Sequence, residues 1–238
     1  RDLEVVGTDQ ASVARAHALG THVLQRCRQW LQQKGDGPPR ALFVTLRPVD
    51  RADFEGDYRV RVGTRGVVTL DFRWTASLSL ETACHAFAEA AIIRYAYFNY
   101  GPSAPAQVRF WPVAALGAHS YVSLRSAEKL NYIESARLHG VGALQPLLEQ
   151  NLNAAAAAAV SPRSGYWLWM TLREAGMGQA VVADLLRRAI AGWNIEPKLE
   201  SILRAASVES APINMEAWWQ THTEQWLSRS YDACESLE

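Results

Sequence analysis

The sequence predicts a mixed α+β fold, in which an N-terminal helix and a small β-sheet precede a buried central helix and a mainly helical C-terminal lobe. Apolar residues recur at helical spacing from about 9 to 33. The period then becomes strand-like over 41–74, and helical spacing returns from about 79 onward. This order of helix, small sheet and many helices excludes a regular βαβ repeat.

Strands are predicted at 41–46, 58–62 and 67–74, with a hairpin turn at 63–66 between the last two. Glycine and proline at 35–39 are predicted to end the first helix. Later helices are predicted near 112–139, 143–153, 163–176, 178–192, 196–207 and 213–229. We divide the chain into 1–76, a helix plus a small β-sheet lobe, and 77–238, the helical lobe.

The composition suits a chain with a full apolar core and excludes several classes of protein. Of 238 residues, 49% are apolar, and 24 Lys and Arg balance 24 Asp and Glu. Because no net charge attracts the chain to a polyanion, no nucleic-acid partner is expected. No apolar run approaches the eighteen or so residues of a membrane span, so no transmembrane segment is predicted. Three widely spaced cysteines are too few for a disulfide framework.

The helix predicted for 79–100 is apolar nearly all round, which indicates a position in the middle of the domain. The Ser79 hydroxyl is suited to cap its first turn, and Glu81 complements the positive end of the helix dipole. A second helical pattern near the C-terminus predicts a core seam rather than a ligand-binding stripe. Its members are Met215, Trp218, Trp219, His222 and Trp226.

Two segments carry information on function: LETACHAFAEAAIIRYAYFNYG at 80–101 and FWPVAALGAHSYV at 110–122. Together they resemble a degenerate gluzincin, a peptidase-MA-like zinc metallopeptidase whose catalytic motif is lost. In that family a strand-rich lobe precedes a buried helix bearing H-E-x-x-H, and a later helix carries a stretch like E-G-x-A-x-Y. The resemblance implies a gluzincin-like fold over about 5–230.

Placed on the family motif, His85 takes the position of the first zinc-binding histidine and Ala86 that of the catalytic glutamate. Glu89 takes the position of the second histidine and Leu116 that of the third ligand. Ala86 cannot take a proton from water and Leu116 cannot bind a metal. The resemblance therefore implies a pseudoenzyme with no catalytic residue, no bound metal and no cofactor.

His85 and Glu89 are four residues apart and adjacent on the helix surface. This spacing favours a polar pair that serves stability, through a hydrogen bond between the two side chains or to neighbouring backbone. It is also compatible with two metal ligands, for which His119, His139 or an unplaced carboxylate would supply a third. His119 and Tyr121, in the second segment, are candidate binding residues.

The leading hypothesis is a non-catalytic, pseudopeptidase-like binding or scaffold domain of a bacterial envelope or exported protein. The expected partner is another protein or peptide, held in the cleft between sheet and helical lobe. Two alternatives remain: a hydrolase with a re-purposed site at His85 and Glu89, and a structural component of a larger assembly. The resemblance favours an extracytoplasmic or cell-envelope location.

Overall fold

The computed structural model describes residues 2–33, 40–75, 77–153, 161, 163–206 and 213–235, with side chains to 229 in the last helix. Within these residues the chain forms four strands and nine α-helices, which confirms the mixed α+β class. The strands are β1 (Leu3–Val6), β2 (Leu42–Arg47), β3 (Tyr58–Val62) and β4 (Val68–Arg73). The helices are α1 (Gln10–Leu31), α2 (Leu80–Tyr100), α3 (Phe110–Leu124), α4 (Glu128–His139), α5 (Leu144–Glu149), α6 (Ser164–Glu174), α7 (Gln179–Ile190), α8 (Glu196–Ala206) and α9 (Met215–Glu235).

The strands form one mixed sheet in the order β1-β2-β4-β3. β1, β2 and β4 are parallel, and β3 pairs antiparallel with β4 through the predicted hairpin. The sequence prediction missed β1, because four residues are too few to show strand alternation. With β1 in place, β1, α1 and β2 form one parallel crossover unit, so the predicted order of helix before sheet is wrong at its first element.

The other predicted strands and the α2 helix are confirmed to within a residue or so. The predicted helix at 112–139 is wrong, because the chain forms α3 and α4 with a break at 125–127. α1 ends at Leu31, where Gln32 adopts a left-handed cap with φ of 50°. The 35–39 segment and the alanine run at 154–159 lie outside the described residues.

α2 is the central element of the fold. It contacts β2, β3 and β4 of the sheet as well as α1 and α3, as its all-round apolar sequence predicted. The Ser79 hydroxyl accepts a hydrogen bond from the Thr82 N–H at 2.9 Å, which confirms the predicted cap. Most of its side chains from Ala83 to Ala96 are buried, so the few polar ones on its remaining face are conspicuous.

The helical part has its own aromatic core beside α3. The predicted seam on α9 is confirmed, since Trp219 and Trp226 are buried and pack toward α6 and α5. Thr171 and Thr223 share a buried hydrogen bond of 3.0 Å between α6 and α9. None of the helices in the described part of the chain is long and apolar enough to cross a membrane.

Candidate functional site

A cleft of about 640 Å³ opens beside α2 and is bordered by the edge strand β3. We call it the β3–α2 cleft. β3, α2, α3 and the segment before α6 all contribute to its wall. Its lining residues are Tyr58, Arg59, Val60, Glu81, Thr82, His85, Glu89, Phe110, Val113, Leu152, Ser161 and Arg163.

Three polar residues of α2 face this cleft in a row. Glu81, His85 and Glu89 are four residues apart, so successive helical turns place them one above another. The row has a carboxylate at each end and an imidazole between them. A ligand along this groove would meet two carboxylates, which accept hydrogen bonds, and one titratable imidazole ring.

Glu89 is held by a neutral donor. The Tyr58 hydroxyl on β3 donates to Glu89 Oε2 at 2.8 Å. Burial raises the pKa of Glu89, and the hydrogen bond from Tyr58 only partly opposes this. Burial, and then the Glu89 carboxylate, raise the pKa of Tyr58, so the phenol stays protonated as the donor. No guanidinium or ammonium among the described residues forms an ion pair with Glu89.

Glu81, at the other end of the row, has a richer set of partners. The Tyr132 hydroxyl of α4 donates to Glu81 Oε1 at 2.5 Å. Arg163 approaches the same oxygen at 3.8 Å, and its guanidinium lies over the Tyr132 ring at 4.8 Å. Glu81 therefore joins α2 to α4 and to the segment before α6.

His85 lies between these two carboxylates without a hydrogen-bond partner among the described residues. Burial lowers its pKa to about 4, which the charge of Glu81 partly opposes, so the ring is neutral at pH 7. The ring packs against α3 where that helix has a glycine. A Cβ at Gly117 would come within 2.7 Å of His85 Nδ1 and 2.9 Å of its Cα. Gly117 thus allows α2 and α3 to approach closely at the site.

The predicted pairing of His85 with Glu89 is wrong. No hydrogen bond in the described part of the chain joins them, and Glu89 uses Tyr58 instead. Sequence reasoning missed Tyr58, because it lies on the other side of the sheet–helix junction, 31 residues away. The alternation of 58–62 did carry a signal, since it places Tyr58 and Val60 on the helix-facing side of the strand.

The other predicted positions fall in three places. Ala86 and Leu116 are fully buried in the apolar core, at 0% exposure, so neither faces the cleft. His119 lies away from the cleft, between the rings of Trp30 and Trp169. Tyr121 is partly exposed on α3, and burial with the nearby charges of Glu128 and Glu81 raises its pKa. The structure therefore brings together His85 and Glu89, and separates them from His119.

β3 adds a backbone edge to the cleft. Gly63 N–H donates to Val67 O at 2.7 Å and Arg73 N–H donates to Asp57 O at 2.8 Å, so odd-numbered residues of this hairpin pair with β4. The N–H and C=O groups of Tyr58 and Val60 consequently point away from β4. β3 has no other strand beside it in the described residues, which leaves that edge available for pairing.

Within the described residues, no group of three or more His, Cys, Asp or Glu side chains is arranged to hold a metal ion. The chemistry that the cleft offers is hydrogen bonding by a strand edge, two carboxylates, a neutral imidazole and the guanidinium groups of Arg59 and Arg163. Comparison of the chain with protein-family models, curated proteins and solved structures gave no match.

Proposed function

We propose that the chain is a non-catalytic binding domain that holds an extended segment of another protein in the β3–α2 cleft. The observation that carries the proposal is the free edge of β3 along the cleft wall. An extended segment would pair with the outward backbone groups of Tyr58 and Val60 and lay its side chains against the α2 row. Glu89, which has no cationic partner among the described residues, favours a segment with a basic or amide side chain, whereas Glu81 is already contacted by Arg163.

The positions filled by Ala86 and Leu116 support a binding role over the chemistry of the resembled peptidases. Both side chains are apolar and buried, so the scaffold proposed from the gluzincin resemblance would be kept without its catalytic glutamate or its third ligand. The proposal includes an extracytoplasmic or envelope location, on the same resemblance. Glu89, with a raised pKa and only a phenol as partner, is suited to receive a donor from the bound segment.

The test begins with panning of a random-peptide display library against the immobilised full chain. Selected peptides should protect the Tyr58 and Val60 amides from hydrogen exchange. Val60→Pro should abolish binding, because proline removes the outward N–H while leaving the β4 ladder intact. Val60→Ala is the matched control, since it keeps that N–H and should retain most of the binding. Peptides that bind both variants equally, or that protect other surfaces, would contradict the proposal.

A hydrolase is a second candidate, favoured by the unpartnered imidazole of His85. Burial lowers its pKa to about 4, so the ring is neutral at pH 7, and a role as general base would require a bound substrate to raise that pKa. Incubation of a selected peptide with the chain, followed by mass spectrometry, separates binding from turnover. Cleavage that is lost in His85→Ala and kept in His139→Ala, an exposed position on α4, would favour the hydrolase.

A further inference from the structure

A second cluster of polar and aromatic residues lies between α1, α3 and α6, and none of its members lines the β3–α2 cleft. Its rings are Trp30, His119 and Trp169, with centroid separations of 5.6 Å, 4.3 Å and 4.8 Å. The Arg173 guanidinium of α6 lies over both indoles, 5.6 Å from the centroid of Trp30 and 5.3 Å from that of Trp169. We call this set the α1–α3–α6 cluster.

The helix register places Arg26 beside these rings. On α1, His22, Arg26 and Trp30 are successive residues of one i, i+4 face. Both ends of that face contact α3: His22 Nε2 lies 2.9 Å from the Ser123 hydroxyl, and Trp30 meets His119. Since Ser123 and His119 are also four residues apart, the register directs Arg26 toward the same stretch of α3, and its charge is among those that act on His119.

The cluster contains two guanidinium groups that no carboxylate among the described residues neutralises. Arg26 donates only to the Gln29 side chain, at 3.4 Å, and Arg173 has only its ring contacts. Neither forms an ion pair with a carboxylate among the described residues. The same positive field is felt by His119, whose pKa falls to about 4 through burial first and then through Arg26, Arg173 and His22.

Three buried polar atoms of the cluster also lack a partner in the described residues: Trp30 Nε1, Trp169 Nε1 and His119 Nε2. Trp30 and Trp169 are only 8% and 1% exposed, so solvent does not readily satisfy their indole N–H groups. Each unpaired buried donor costs free energy. The indole N–H groups of Trp111, Trp167 and Trp226 are unpaired in the same way, so the two guanidinium groups are what distinguish this cluster. The two guanidinium groups without a carboxylate partner define a place for an acceptor that carries negative charge.

We propose that the α1–α3–α6 cluster binds a small oxyanion, a phosphate or carboxylate group, with Arg26 and Arg173 supplying its main contacts. Arg173 is exposed and Arg26 half-exposed, so the anion reaches the cluster from solvent. The Ser123 hydroxyl already donates to Ser120 O at 2.7 Å and the indole N–H groups are enclosed, so the two guanidinium groups carry the binding. Two guanidinium forks match the paired oxygens of such a group better than a single lysine would.

The test measures thermal unfolding of the full chain in increasing phosphate or acetate, at constant ionic strength made up with chloride. The wild type should gain stability along a saturating curve with at least one of the two anions. A response to phosphate alone assigns a phosphate ligand, and a response to acetate assigns a carboxylate. Arg26→Gln and Arg173→Gln should each weaken the apparent affinity about tenfold, as expected for loss of hydrogen bonds to a charged group.

Arg15→Gln is the matched control, because it removes the same charge from an exposed position on α1 and should leave the curve unchanged. Arg173→Lys keeps the charge, so it should fold normally and show an intermediate loss. Near-ultraviolet circular dichroism confirms that the tryptophan packing survives in each variant. The proposal is overturned if neither anion gives a saturating response, or if Arg26→Gln and Arg173→Gln respond like Arg15→Gln.

Discussion

Asp71 and Glu89 are two carboxylates of the sheet–helix unit that differ in the partners they contact. Asp71 lies on the outer face of β4, is 1% exposed, and receives Arg47 at 3.0 Å and Arg61 at 2.5 Å. Arg59 approaches it at 3.9 Å. Glu89 lies on the inner side, beside an open cleft, and receives only the Tyr58 hydroxyl.

Asp71 therefore stabilises the sheet, whereas Glu89 can still accept a further hydrogen bond. Asp71 is surrounded by guanidinium groups that cross from β2 and β3, so its charge joins three strands of the sheet. Glu89 has a neutral donor and a pKa raised by burial, an arrangement that costs stability without any charge to offset it. A ligand that supplied a donor would offset the cost of burying this acid.

The largest expected effect is from Asp71→Ala, which leaves the arginines of β2 and β3 facing one another. We expect a loss of about 2–3 kcal/mol in the free energy of unfolding, below the cost of breaking a fully buried pair because the guanidiniums are partly exposed. Urea unfolding measures it. Asp53→Ala is the control, since Asp53 also contacts an arginine, Arg59 at 3.0 Å, but its side chain is 71% exposed. If both variants unfold at the same urea concentration, Asp71 is not the structural carboxylate of this comparison.

The Asp71 cluster shows how much the sequence could have predicted. The strands 58–62 and 67–74 and their turn were predicted, and the turn fixes a register in which Arg59 faces Asp71 and Arg61 faces Thr69. Period-two alternation then places these charges on one face. The ion pairs around Asp71 could therefore have been predicted from the sequence.

The hydrogen-bond partner of Glu89 could not have been predicted from the sequence. Local spacing suggests His85, which is one turn away, whereas the observed partner Tyr58 depends on how α2 docks against the sheet. Docking is decided by packing over the whole buried face of α2, including close approaches such as His85 against Gly117. Burial of α2 itself was predictable, because its apolar residues surround the helix.

A smaller effect is expected from changes at Glu89. Glu89→Ala leaves the Tyr58 hydroxyl without its acceptor and should lower the free energy of unfolding by about 1 kcal/mol. Glu89→Gln should be milder, since an amide oxygen can still accept that hydrogen bond. Tyr58→Phe, which removes the donor instead, should fall between the two. Thermal unfolding of the three variants side by side measures these differences, and a larger loss in Glu89→Gln than in Glu89→Ala would contradict the described geometry.

The last expected effect is a pair of opposite pH dependences within the α2 row. Burial lowers the pKa of His85 from 6.5 to about 4, so its contribution to stability is present above pH 6.5 and is lost as the pH falls through 4. Burial raises the pKa of Glu89 from 4.5, so its contribution is present below pH 4.5 and is lost as the pH rises through the raised value. Urea unfolding between pH 4 and 8 should therefore show His85→Asn gaining on the wild type as the pH falls, and Glu89→Gln gaining as it rises. His119, whose pKa is also lowered to about 4, is present in all three proteins and cancels from these differences. If the stability of both variants changes with pH in parallel with that of the wild type, water in the cleft solvates both side chains. In that case burial does not keep either side chain unpaired for a ligand.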